Sequence, residues 1–130
     1  MTTVREMVDD AKSRIDNLSI DEVEAERREG NALLIDVRDV RELWREGKIP
    51  GARHVPRGMI EFWADPESEY YKDFMKPDAR VILYCAGGLR SALAADALNR
   101  LGYSDVAHLE AGFDEWKRRG GEVDEVPQKR

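Results

Sequence analysis

Cysteine is almost absent from this 130-residue chain: a single one, Cys85, stands among 27 acidic and 21 basic residues. One thiol excludes an internal disulfide. The only two histidines, His54 and His108, lie far apart in sequence and assemble no zinc-ligand spacing, so both read as surface or packing residues and no metal or other cofactor is expected. Long apolar runs are missing too. The first twenty residues carry Arg5, Glu6, Asp9, Asp10, Lys12, Arg14 and Asp16, which leaves no apolar core for a signal peptide, and no stretch elsewhere is apolar enough to span a bilayer. The expectation is a cytoplasmic, reducing location. An excess of positive charge is also lacking: a net charge of −6 argues against nucleic acid or an anionic membrane as partner. Internal repeats and low-complexity tracts are absent. What remains is the composition of one ordinary domain, 42% hydrophobic and too short for two.

Within that domain, helical and strand patterns alternate with short connections, the signature of parallel βαβ units. Val4, Met7, Val8, Ala11 and Ile15 fall at helical spacing, so about Thr3 to Asp16 reads as an amphipathic helix on the flank. Ser19 with Glu22 three positions on is a capping box, opening a helix that stops at Gly30. Ala32 to Val37 is a short apolar strand, Val40 to Glu46 a charged helix, and Arg53 to Val55 a short strand. The aromatic-rich stretch from Arg57 to Lys76 reads as two short helices separated by Asp65-Pro66. Val81 to Tyr84, a helix from Arg90 toward Gly102, Val106 to Leu109 and a last helix at about Phe113 to Arg119 complete the order. These limits divide the chain into an N-terminal helical extension (1–18), a main domain (19–121) and a frayed charged tail (122–130).

The most informative segment runs from Val81 to Ser91, because it sends an apolar strand into a glycine turn headed by the only cysteine. A turn of this kind aims backbone N–H groups inward. Together with the positive end of the following helix dipole, they stabilise a thiolate on Cys85 and an anion above it. Free cysteine is often an inert core residue. An inert one needs neither Gly87-Gly88 directly behind it nor an arginine five positions on, and ligands of open α/β sheets bind at strand carboxyl ends, where Cys85 falls. Cys85 therefore reads as a nucleophile and Arg90 as an anion-binding group. Asp36 and Arg38 are delivered to the same edge, as substrate groups or as an ion pair bracing the loop. Ser91 either caps the helix or hydrogen-bonds Cys85.

Four motifs in order carry a resemblance: Leu34-Ile35-Asp36-Val37-Arg38, Ile49-Pro50-Gly51-Ala52, Cys85-Ala86-Gly87-Gly88-Leu89-Arg90-Ser91, and Leu109-Glu110-Ala111-Gly112-Phe113-Asp114-Glu115-Trp116. From Ser19 to Gly120 the chain resembles a single-domain rhodanese, a sulfurtransferase homology domain. Lys48 stands where the family usually has histidine and Ala111 where it often has glycine. The resemblance implies a doubly wound α/β fold with a mainly parallel sheet of about five strands and helices on both faces. It also implies a ping-pong sulfurtransferase, in which Cys85 takes a sulfane sulfur from thiosulfate or another persulfide donor and passes it to cyanide or a thiol. The persulfide would lie among the N–H groups of about Ala86, Gly87, Gly88, Leu89 and Arg90. With no second cysteine the acceptor must be external: a small thiol, cyanide, or a thioredoxin-like or other protein acceptor.

Two other classes stand beside this one. A rhodanese fold can serve as a binding or regulatory module without turnover, although inactive copies usually lose the cysteine that this chain retains; a non-catalytic sulfur carrier, loaded by one partner and discharged to another, is compatible with all of these residues. A cysteine phosphatase or arsenate reductase uses the same parts, but four residues separate Cys85 from Arg90 where the phosphatase pattern has five.

Overall fold

The computed structural model describes residues 1–129. Five parallel strands form one sheet in the order β1-β5-β4-β2-β3: β1 (Asp16–Leu18), β2 (Ala32–Asp36), β3 (Arg53–His54), β4 (Arg80–Tyr84) and β5 (Asp105–Leu109). The helices are α1 (Val4–Lys12), α2 (Ile20–Glu29), α3 (Val40–Glu46), α4 (Ile60–Ala64), α5 (Leu89–Arg100) and α6 (Gly112–Arg118).

Strand alternation divides the core in two. Val81 and Leu83 face one layer, with Ile60 and Ala64 of α4 and Ala94, Ala95 and Leu98 of α5. Ile82 and Tyr84 face the other, with Val23 of α2 and Phe113 and Trp116 of α6. Helices therefore cover both faces of a doubly wound α/β fold. The strand order reverses between β2 and β4: the chain leaves β2 for β3 on one side and β4 for β5 on the other. Asp36 lies level with Tyr84, and the Val37 N–H donates to the Tyr84 carbonyl at 2.9 Å, so Arg38 and Cys85 emerge together at this switch point. Open α/β sheets leave their binding crevice at such a point.

Three sequence expectations are corrected. The first helix stops at Lys12, and Asp16–Leu18 is an edge strand on β5; Asn17 anchors the break by donating to the carbonyls of Lys12 and Ile15. Only α4 forms in the aromatic region, preceded by a 3₁₀ turn at Arg57–Met59; residues 66–79 are turns and irregular backbone held by Trp63, Tyr71, Phe74 and Met75 against the core. The segment after α6 is tied down rather than frayed at its start. Asp124 and Lys48 exchange backbone hydrogen bonds at 2.9 Å, Val123 packs on the second core layer, and the Trp116 indole N–H donates to the Glu122 carbonyl at 2.8 Å.

Over its shorter length the first helix still packs on the domain's flank. Thr3 and Glu6 form its capping box, Val8 and Ala11 pack on Ala92 of α5, and Arg14 grips Asp96 of α5 with two hydrogen bonds of 2.8 Å.

Candidate active site

The loop from Cys85 to Gly88 is shaped by close backbone packing against the segment before α6. Gly88 has φ +89° and lies so near the Glu110 carbonyl that a Cβ would collide with it; Gly112 has φ +84° and presses in the same way on the Ala86 carbonyl. Only glycine meets both conditions at these two places. Gly87, by contrast, has open space around it and needs no glycine on steric grounds. The Phe113 and Asp114 N–H groups donate to the carbonyls of Cys85 and Ala86 at 2.8 and 3.1 Å. Two motifs more than twenty positions apart are thus one unit.

Inside this loop Cys85 is only 1% exposed. Its Sγ accepts hydrogen bonds from the N–H groups of Gly88 at 3.2 Å and Ser91 at 3.3 Å. The amides of Leu89 and Arg90 belong to the same first turn of α5, whose N–H groups have no intrahelical acceptor. Of the amides expected to form the cradle, Gly88 donates to Sγ, and Ser91, which lay outside the expected set, joins it. The Ser91 side chain, for which capping and contact with Cys85 both stood open, does the second: Gly88 occupies the cap position, and Ser91 Oγ lies 3.5 Å from Sγ and 2.8 Å from His108 Nδ1.

Arg90 does not extend alone over the loop. Its guanidinium makes two hydrogen bonds, of 2.8 and 3.1 Å, to the Glu42 carboxylate, which also accepts from the Asp39 N–H at 2.9 Å as part of the α3 capping box. The Arg90 hydrogen bonds hold the Glu42 carboxyl below its ordinary range. The expected anion group is thus already neutralised by a residue that the sequence marked only as part of a charged helix.

Asp36 and Arg38 form a buried ion pair, closed by Arg38 Nη2 on Asp36 Oδ2 at 2.6 Å and Nε on Oδ1 at 3.0 Å. Arg38 Nη2 also donates to the Gly47 carbonyl at 2.7 Å, and the guanidinium stacks 4.1 Å from the Phe113 ring. Burial is the largest single influence and works against the Arg38 charge, but the Asp36 hydrogen bonds and the Asp36, Tyr84 and Glu42 charges together outweigh it, leaving the pKa raised. Of the two roles left open, the ion pair is the one formed. A groove of about 550 Å³ opens beside it, reaching Ala86 and lined by Arg38, Glu42, Arg45, Asp114 and Lys117 among others. Among the described residues, no group of His, Cys, Asp and Glu side chains is placed to hold a metal ion.

Sequence reasoning missed three neighbours of the site: Glu42, His108 and Asn17. His108 is fully buried, accepts or donates through both ring nitrogens, and reaches Asn17 Oδ1 from Nε2 at 2.8 Å. One signal was available, a histidine inside the apolar strand Val106-Ala107-His108-Leu109. The other histidine is a packing residue, with His54 Nε2 2.6 Å from the Arg38 carbonyl oxygen.

Residues 19–119 match the model of the rhodanese-like domain. The chain belongs to the rhodanese family. A rhodanese relative, the thiosulfate sulfurtransferase GlpE of Pseudomonas fluorescens, is 36% identical over 93 residues, covering 69% of this chain and 74% of that one. Among solved structures, the human single-domain sulfurtransferase TSTD1 superposes with a TM-score of 0.70 at 25% identity, over 79% of this chain and 96% of the other. A protein of unknown function from Rhodopseudomonas palustris, named with tyrosine phosphatase as a suggested activity, superposes with a TM-score of 0.91 at 42% identity, over 95% and 96%. The chain spans 63% of one curated rhodanese relative and 20% of another, so it corresponds to a part of several of them.

Proposed function

We propose that this rhodanese moves a sulfane sulfur from thiosulfate or a persulfide donor to a thiol or cyanide through a persulfide on Cys85. The observation that carries the reading is the pair of N–H donors on Cys85 Sγ, from Gly88 and Ser91. In the first step the Cys85 thiolate attacks the outer sulfur of the donor. The new Sγ–S bond forms as the bond to the leaving group breaks, and sulfite departs with the electron pair when the donor is thiosulfate. The terminal sulfur then carries the negative charge at the head of α5, where amides and the helix dipole stabilise it. In the second step an external thiolate or cyanide attacks that sulfur, the Sγ–S bond breaks, and Cys85 returns as a thiolate.

The name of the Rhodopseudomonas relative raises phosphoryl transfer as a second reading. The four-residue spacing between Cys85 and Arg90 favours a loop that holds the single outer sulfur of a persulfide over one that encircles a phosphate. A carrier loaded and discharged by partner proteins uses the same Cys85 chemistry. Intact mass before and after donor, followed by a cyanide chase scored as thiocyanate, tests these readings. A gain of roughly 32 Da on Cys85 that cyanide removes, and that Cys85→Ser abolishes, is expected. Gain only from a persulfide donor identifies a carrier. Turnover of an aryl phosphate with no sulfur gain from either donor overturns the proposal.

A further inference from the structure

A continuous line of hydrogen bonds runs from Cys85 across the sheet to its edge: Sγ to Ser91 Oγ at 3.5 Å, Oγ to His108 Nδ1 at 2.8 Å, and His108 Nε2 to Asn17 Oδ1 at 2.8 Å. Ser91 and His108 are buried, while Asn17 lies on the exposed edge strand β1, level with His108 on β5. The direction of every bond follows from its far end. Both Asn17 amide hydrogens are spent on the carbonyls of Lys12 and Ile15, at 2.9 and 3.2 Å, so Oδ1 faces His108 and must accept. His108 Nε2 therefore carries a hydrogen, and Nδ1 presents a lone pair. The Ser91 hydroxyl donates to that lone pair and turns its own oxygen toward the Cys85 S–H.

This arrangement suits a thiol and opposes a thiolate formed by simple loss of its proton, because the Ser91 lone pair would then face a negative sulfur. One rearrangement satisfies every group. The S–H bond breaks and its proton joins Ser91 Oγ, while the hydroxyl's original O–H bond breaks and that proton joins His108 Nδ1. The thiolate then has three donors, the N–H groups of Gly88 and Ser91 and the Ser91 hydroxyl. The imidazolium donates to Ser91 Oγ and, unchanged, to Asn17. No proton is gained or lost overall.

We propose that Ser91, His108 and Asn17 form a proton relay for Cys85, in which His108 takes the thiol proton through Ser91 and Asn17 holds the ring in the tautomer that can receive it. Its use in turnover rests on the sulfurtransferase reading above. The charged groups around the line are few. Lys12, at the end of α1, faces His108 and lies 3.7 Å from Glu110, which offsets part of its charge; on the cysteine side stand the Arg90–Glu42 pair and Asp36. Burial, helped by Lys12, pushes the His108 pKa down to about 4, so the ring rests neutral; a proton on it is costly, and the thiolate formed at the other end of the line must offset that cost.

The test is the rate of Cys85 alkylation by iodoacetamide as a function of pH in the full chain, read beside thermal unfolding. Ser91→Ala keeps the amide donor and removes the relay; His108→Asn keeps an acceptor toward Ser91 and cannot take a proton. Each is expected to move the midpoint of the profile upward and to slow alkylation at pH 7 by about tenfold, since the thiolate is the reacting form. The double variant should be no slower than the slower single, because both act on one line. Rates within about twofold of the parent in folded variants overturn the relay. If His108→Asn does not fold, Ser91→Ala alone decides. Alkylation needs no sulfur donor, which separates the two proposals. Slowed alkylation in a protein that no donor loads leaves the relay standing and removes the sulfurtransferase reading. Normal sulfur loading with unchanged alkylation removes the relay alone.

Discussion

Two residues that look incidental in the sequence set much of the site's electrostatics. His108 is held neutral by burial, with a pKa of about 4 against an unfolded value of 6.5. The unfolded chain therefore binds the extra proton first, and stability should be lost as pH falls from about 6.5 to 4, by roughly 3 kcal/mol in total. Thermal unfolding of the parent and His108→Asn across that range checks this, the variant being expected to lose the steepest part of the slope. Glu42 acts on the other side. Its carboxylate occupies Arg90, so Glu42→Gln, which keeps an acceptor for the Asp39 N–H, should free the guanidinium for an anionic donor. The KM for thiosulfate is expected to fall by about threefold to tenfold, with little change for an uncharged persulfide donor, as a charge-assisted contact would give. An unchanged KM would leave the ion pair a purely structural one. Neither role was legible from sequence, because each depends on partners 48 and 17 positions away that only the fold brings together.

At the scale of elements, the β4–α5 loop and the start of α6 fold as one piece. Gly88→Ala forces a side chain into the left-handed region and against the Glu110 carbonyl, so it should cost about 2 kcal/mol or more and abolish sulfur loading, measurable by thermal unfolding and intact mass. Gly87→Ala, with open space at the same spot, should leave stability nearly unchanged. The strands that carry the site were readable, since β2, β4 and β5 are short apolar runs bounded by turns. The edge strand β1 was not. Its three residues, Asp16, Asn17 and Leu18, continue the polar pattern of α1, and only pairing with β5 makes them a strand. The missing second helix around residues 66–79 fails for a related reason: Tyr71, Phe74 and Met75 are apolar enough to pack, but they reach the core from turns and irregular backbone.

Across the whole molecule, the segment after α6 belongs to the folded domain. Val123 fills space beside Gly47, Asp124 pairs with Lys48, and Arg27 reaches Glu122 at 3.0 Å while its guanidinium lies 5.9 Å from the Trp116 ring. Ending the chain after Gly121 should therefore lower stability by about 2 kcal/mol, through lost apolar burial and two lost backbone hydrogen bonds, and lower the melting temperature by several degrees. An unchanged melting temperature would return this segment to the frayed tail that its charge pattern suggests. Parallel βαβ units were legible from the alternating strand and helix patterns, while the doubly wound arrangement was what the resemblance to the rhodanese family implied. The anchoring of residues 122–124 was not, because one valine among charges gives no periodic signal.

The edge strand β1 also means that the domain's limits in sequence and in folding differ. The family's shared region begins at Ser19, one residue after β1 ends. A shortened chain cut there would strip β5 of its neighbour and leave its backbone N–H and C=O groups open along one side, an invitation to intermolecular strand pairing. Solubility of the shortened protein, rather than its chemistry, would then be the first property to fail.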